Sequence, residues 1–255
     1  MKLLFLGDVV GSAGVKFVKD NIWKIKRERG IDITVINGEN SAEGNGITPD
    51  SFEELIRIGA DVVTTGNHCF RRREILPLYE SRECLIRPAN YPEGVIGRGS
   101  VTVDLGRARV TVINLMGTVY LDSLDNPFYV IDRLLENADT PNIIVDFHAE
   151  ATAEKKAMGY YLDGRVTAVL GTHTHVQTAD ETVLEGGTAY ITDVGMTGPE
   201  VSVLGVKKEL AIEKLRDHCP VAFKESTSPC FLNGVIVTFN ERTGRAEEIE
   251  RLIIR

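Results

Sequence analysis

Histidine is scarce in this 255-residue chain: there are five in all, at positions 68, 148, 173, 175 and 218. Cysteine is nearly as rare. Cys69, Cys84, Cys219 and Cys230 are far apart and form no C-x-x-C pair, which excludes a disulfide framework and a thiolate zinc site and reads as reduced thiols of a cytoplasmic protein. No apolar run approaches the ~20 residues that a membrane-spanning helix needs. The opening "MKLLFLGDVVGS" has a lysine and an apolar segment, but Asp8 interrupts it early and no A-x-A-like site follows, so no signal peptide is expected. Excess positive charge is missing as well. A net charge of −8 supplies no footprint for gripping duplex nucleic acid. There is no internal repeat, low-complexity tract or Pro/Ser-rich linker, so residues 1–255 are expected to form one domain.

What is present is a rhythm. "KLLFLGD" reads as a buried strand. A helix follows, with Ser12 as the expected N-cap, Val15, Val18, Ile22 and Ile25 on one face, and Gly30 as its stop. "DITVINGEN", "SFEELIRIG" and "ADVVTTGNH" continue as strand, helix and strand, which predicts a parallel sheet covered by helices. "SVTVDLG" and "ARVTVINLMG" alternate like an antiparallel pair. "NIIVDFHAE", "EKKAMGYYL" and "VTAVLGTHTH" return to the βαβ style. The final segment predicts a hairpin around Arg242-Thr243-Gly244.

Five apolar runs end in polar residues that suit a core poorly: Asp8; Glu39 and Asn40; Asn67 and His68; His148; and His173 with His175. Ligands of parallel α/β sheets bind at the carboxyl ends of strands, and one shared sheet would bring all five ends to one edge. The pooled set is two carboxylates, two amides and four imidazoles, too many for one ordinary metal and enough for two. Each member has a plainer reading: Asp8 as a helix cap, Asn37-Gly38 as a turn, His148 as a hydrogen-bonded core histidine. "GDVVGSAG" also mimics a dinucleotide loop, but Val9 occupies the place of the second glycine and Asp8 would repel a pyrophosphate. His173 and His175 differ from the rest because on extended backbone an H-x-H pair shares one face. Asp146 falls behind His148 as an outer partner at best, and His218 reads as a helix-end residue.

"GD" after the first strand, an acid after the second, "GNH" after the third, a lone histidine and a late "GTHTH" resemble the calcineurin-like metallophosphoesterase pattern. "FLGDVVGSAG", "INGENSAEGNGIT", "TTGNH" and "DFHAE" are similar, more narrowly, to its YmdB-like branch, whose members act as 2′,3′-cyclic-nucleotide phosphodiesterases. Val10 stands where the wider superfamily has a histidine, and Glu39 where it has an aspartate. The resemblance implies an α/β fold of the four-layer α/β/β/α sandwich type. It also implies two divalent metals, iron or manganese with zinc as an alternative. Asp8, Glu39, Asn40 and His175 would hold one metal, and Glu39, Asn67, His148 and His173 the other. His68 would stay unligated as general acid, opposite attack by a metal-bridging hydroxide. The expected partner is a small phosphodiester or nucleotide, with no duplex nucleic acid and no membrane; self-association into a homo-oligomer is left open. Rival readings are a phosphomonoesterase or nuclease on the same scaffold, and a slow-turnover regulatory protein that binds nucleotides. One of Arg71, Arg72 and Arg73 is a candidate contact for a nucleotide phosphate, with a solvated helix start as the plainer reading, and Ser41 in the glycine-rich "NSAEGNGITP" a candidate contact for phosphate or ribose, with a flexible turn as the alternative.

Overall fold

The structure is a computed structural model that describes residues 1–255. In chain order the elements are β1 (Lys2–Leu6), β2 (Asp8–Val9), α1 (Gly11–Arg29), β3 (Ile33–Asn37), α2 (Pro49–Arg57), β4 (Val62–Thr64) and α3 (Leu76–Ser81). Next come β5 (Ser100–Asp104), β6 (Arg109–Met116), α4 (Pro127–Glu136), β7 (Ile143–His148), α5 (Thr152–Tyr161) and β8 (Ala168–Thr172). The chain closes with β9 (Thr182–Val183), β10 (Ala189–Ile191), β11 (Met196–Pro199), α6 (Lys208–Asp217), β12 (Cys230–Phe239) and β13 (Ala246–Ile254).

The strands form two sheets, the number that the family resemblance implies, where the βαβ rhythm alone suggests one shared sheet. The first has the order β2-β11-β12-β1-β3-β4, with β13 also paired to β12; the second is β5-β6-β7-β8-β10-β9. β1, β3 and β4 run parallel in the first sheet, and β6, β7, β8 and β10 in the second. The expected antiparallel pair is β5/β6, and the expected terminal hairpin is β12/β13.

Alternation along β1 shows why both sheets are covered. Leu4 and Leu6 join an apolar cluster with Val15, Val18 and Ile22 of α1 and with Phe52 and Leu55 of α2. Leu3 and Phe5 point the other way, into a cluster with Val112 of β6, Ile144 of β7 and Leu170 of β8. A third cluster joins Ile113, Val145 and Phe147 of the second sheet to Val130 and Ile131 of α4 and Met158 of α5. Each such buried side chain contributes roughly 1.5–3 kcal/mol, and a one-residue slip of β1 would exchange its two faces, so the register is firmly set.

The helix starts depart from expectation. α1 begins at Gly11, with Val10 at the N-cap position and no side-chain cap, so Ser12 lies inside the first turn. α2 starts at Pro49 behind a capping box between Thr48 and Ser51. Gly30 does close α1, in the left-handed conformation (φ +66°). His218 is the C-cap of α6, as the sequence indicates.

Candidate metal centre

The five polar strand ends meet, drawn from both sheets. Asp8 in β2, Glu39 and Asn40 after β3, and Asn67 and His68 after β4 come from the first; His148, the last residue of β7, and His173 and His175 after β8 come from the second. Asp8, Glu39, Asn40 and His148 are buried, with exposures of 0%, 1%, 3% and 0%. Gly66 makes this approach sterically feasible. A Cβ there would lie 2.3 Å from His148 Nε2 and 2.4 Å from Glu39 Oε2.

His173 and His175 do not share a face of extended backbone. β8 ends at Thr172, and both histidines adopt left-handed conformations, with φ of +102° and +66°. This is costly for non-glycine residues and persists only where surrounding bonds dictate it.

Proton bookkeeping around His148 shows what the cluster can accept. Asp146 Oδ1 lies 2.7 Å from Thr172 Oγ1, which lies 2.9 Å from His148 Nδ1. Burial pushes the Asp146 carboxyl up to about 7, opposed by hydrogen bonds from Thr64, Thr172 and Asn37. In its ionised form Asp146 accepts the Thr172 proton, so His148 must donate from Nδ1, leaving a lone pair at Nε2. Burial also lowers the His148 pKa, against the attraction of Glu39 and Asp8, which favours the neutral ring. His173 Nε2 lies 2.9 Å from Glu150 Oε2 and donates there, so in its neutral form Nδ1 carries its lone pair. The two lone pairs face each other at 3.1 Å. His148 Nε2 is also 2.9 Å from Asn67 Oδ1 and 3.4 Å from Glu39 Oε1. With Asp146 ionised and both rings neutral, four acceptor atoms therefore converge with no imidazole proton among them. A cation satisfies that arrangement, and the ligand atoms of Glu39, His148 and His173 all lie within 4.8 Å of one another.

The other half of the cluster is finished differently. Asn40 Nδ2 lies 3.0 Å from Glu39 Oε1, 3.4 Å from Asp8 Oδ1 and 3.3 Å from His175 Nε2. One amide group with two protons thus faces three acceptors, while the Asn40 oxygen faces His68 Nδ1 at 2.9 Å. A half-turn of the amide puts Oδ1 where Nδ2 stands, among the same neighbours. His175 Nε2 approaches Asp8 Oδ1 at 3.5 Å, and His175 Nδ1 is buried without a hydrogen-bond partner. Burial alone would raise the Asp8 pKa, but the charge and hydrogen bond of His175, the charge of His148 and the His173 backbone N–H hold it well below the usual range. Burial alone would lower His175, yet Asp8 raises it. Asp8 Oδ1, His175 Nε2 and Asn40 Nδ2 thus stand close together on this side of the cluster. Glu39 is likewise lowered despite burial, chiefly by His148 and His68.

His68 sits at the rim with its side chain 26% exposed. Its backbone N–H donates to Glu39 Oε2 at 3.1 Å, and its Nδ1 is 3.1 Å from Glu39 Oε1. The neighbouring candidates are committed elsewhere. The Arg72 guanidinium bonds the carbonyls of Glu43 and Asn45, and buried Ser41 donates to Ser51 Oγ at 2.9 Å, so neither is free for a phosphate. Arg71 and Arg73 are exposed. A cavity of about 780 Å³ lies aside from the cluster, between α1, α2 and residues 41–43. The sequence reading missed Glu150, Lys155 and Asp193. Asp193 follows a short buried strand, the same signal that marked the other five ends.

A model of the YmdB-like protein family matches residues 4–252. The chain belongs to the YmdB-like family. It is 46% identical to the 2′,3′-cyclic-nucleotide 2′-phosphodiesterase of Bacillus subtilis (strain 168), over 100% of this chain and 97% of that protein. A crystal structure of a novel phosphatase from Mycoplasma pneumoniae superposes with a TM-score of 0.95 at 35% identity, covering 100% of this chain and 93% of the other. A hypothetical protein from Thermus thermophilus does so with a TM-score of 0.94 at 37% identity, covering 100% and 99%. YmdB-like relatives thus share the fold end to end. No helix is long and apolar enough to cross a membrane.

Proposed function

We propose that this YmdB-like chain is a metal-dependent phosphoric diester hydrolase whose substrate is a 2′,3′-cyclic nucleotide. The observation that carries the reading is the convergence of proton-free acceptors from Glu39, Asn67, His148 and His173. The B. subtilis relative's name narrows the reaction class. Glu39, Asn67, His148 and His173 would hold one divalent ion, and Asp8, Glu39, Asn40 and His175 a second. Oxygen and imidazole donors without thiolate suit iron, manganese or zinc. When bound, the two ions supply positive charge that draws the phosphate in and activates water for attack.

The chain's own contribution is positional and protonic. Glu39 Oε1 and Asn40 Oδ1 both accept from Nδ1 of His68, so Nε2 holds a proton for the departing alkoxide in the doubly protonated ring. A net charge of −8 suits a small nucleotide better than a polyanion. The three apolar clusters support an α/β/β/α sandwich built as one domain. Four free cysteines fit a reducing, cytoplasmic setting.

The test is a side-by-side assay of 2′,3′-cyclic AMP, 5′-AMP and long RNA with manganese present. Faster hydrolysis of the cyclic nucleotide is expected. Preference for the monoester or the polymer overturns the substrate reading, and inactivity of metal-loaded protein on all three overturns the hydrolase reading.

A further inference from the structure

A buried ion pair lies directly behind the His173–His175 turn. Lys155 of α5 and Asp193 after β10 have side chains only 1% and 0% exposed, with Nζ 2.7 Å from Oδ2. The same Oδ2 accepts from the backbone N–H of Thr174 at 3.0 Å and from its hydroxyl at 2.7 Å. Thr174 is the residue between the two histidines. The other oxygen, Oδ1, accepts from the Gly195 N–H at 2.8 Å, and the Gly195 carbonyl accepts from the Asp8 N–H at 3.1 Å. The Asp193 main chain is stapled to Thr178 in both directions, with N to Thr178 Oγ1 at 2.9 Å and O from Thr178 N at 3.0 Å. One carboxylate thus reaches the strained turn through one oxygen and the Asp8 strand through the other.

We propose that Asp193, charge-paired with Lys155, is a positioning residue that holds His175 in register with Asp8 and so sets how tightly their half of the site takes a metal. The inference rests on the two-metal reading above. Two features support it. Left-handed backbone at two alternate non-glycine positions relaxes unless something outside the turn opposes it, and Asp193 holds the residue between them. The ion pair lies outside the cluster of acceptors, so it is free to position ligands without itself being one.

The test is a titration of metal-free protein with manganese, following free Mn²⁺ by electron paramagnetic resonance, for the parent, Asp193→Asn and Thr174→Val. The parent is expected to take two ions. Asp193→Asn should weaken one site by about 10–100-fold, as loss of an outer-shell partner does, and leave the other close to the parent's. Thr174→Val keeps the buried pair, removes only the hydroxyl bond, and should shift the same site by less. Circular dichroism and melting of the chelated proteins separate this from general damage. Equal weakening of both sites in step with a lower melting temperature overturns the inference, as does parental binding in both variants. If Asp193→Asn does not fold, Thr174→Val decides alone. A parent that takes two ions while both variants match it defeats the positioning role and spares the metal reading; a parent that takes none defeats both.

Discussion

The two halves of the cluster around Glu39 differ in how their lone pairs are answered. On the His148 side, hydrogen bonds running outward to Thr172, Asp146 and Glu150 remove both imidazole protons from the centre. On the Asp8 side, the Asn40 amide N–H₂ stands among the acceptors, and one nitrogen of His175 has no partner. A cation on that side would require the amide to turn, which the His148 side does not.

The largest effect is expected at the residue the halves share. Glu39→Gln removes the common carboxylate charge and should lower manganese binding at both sites by more than the ~10–100-fold typical of an outer partner. His148→Ala and His175→Ala should each impair mainly one. Metal content after dialysis checks this, and two ions per chain in Glu39→Gln would erase the distinction between shared and private ligands.

His68 touches both halves, through Glu39 and Asn40, yet is placed as a ligand of neither. His68→Ala should keep both metals and lose about 10²–10⁴-fold in rate on a cyclic nucleotide. On a p-nitrophenyl ester, whose leaving group needs no proton, the loss should be much smaller. Equal losses on both substrates would make His68 an orienting hydrogen-bond partner of Asn40.

The smallest effect sharpens the looser half. Glu225 accepts from Gly44 N–H at 3.3 Å, in the loop that carries Asn40, and burial with the nearby Glu43 charge raises its pKa above 4.5. A raised carboxyl pKa means the folded chain keeps the proton after the unfolded chain has released it. The resulting penalty is absent in acid, where both states are protonated, and grows as pH climbs through 4.5 to the folded value. Glu225→Gln should therefore stabilise the metal-free protein near pH 7, by at most about 0.5 kcal/mol because the group is partly exposed and screened, and do nothing near pH 3. Melting curves at the two pH values test the sign.

Much of this site was legible because apolar runs ending in Asp, Glu, Asn or His violate what a core tolerates. Asp8, Glu39, Asn40, Asn67, His68, His148, His173 and His175 were all visible that way, and all lie in one cluster. That they come from two sheets followed from the family resemblance and not from periodicity, which reports which face is buried and not which strand lies alongside. Val10 in place of Ser12 at the start of α1 escaped for another reason: the segment is fixed by β2 pairing with β11 and by the Gly11 N–H bonding to the Asn40 carbonyl, both remote in sequence. The left-handed turns at His173 and His175 escaped similarly, because the Asp193 bonds that oppose their relaxation come from a later strand.

The pairing of β1 with β12, which aligns Leu4 with Ile236, has a consequence for biosynthesis. The first strand to leave the ribosome has one parallel neighbour, β3, soon after emergence, but its other edge waits for a partner more than two hundred residues later. Until then that edge offers unpaired N–H and C=O groups, and Leu3 and Phe5 await the strands of the second sheet. Every polysome thus carries nascent chains with an open, apolar strand edge, and premature termination before β12 yields a product that cannot close it. The demand on chaperones falls during synthesis, and it ends only when the terminal hairpin emerges.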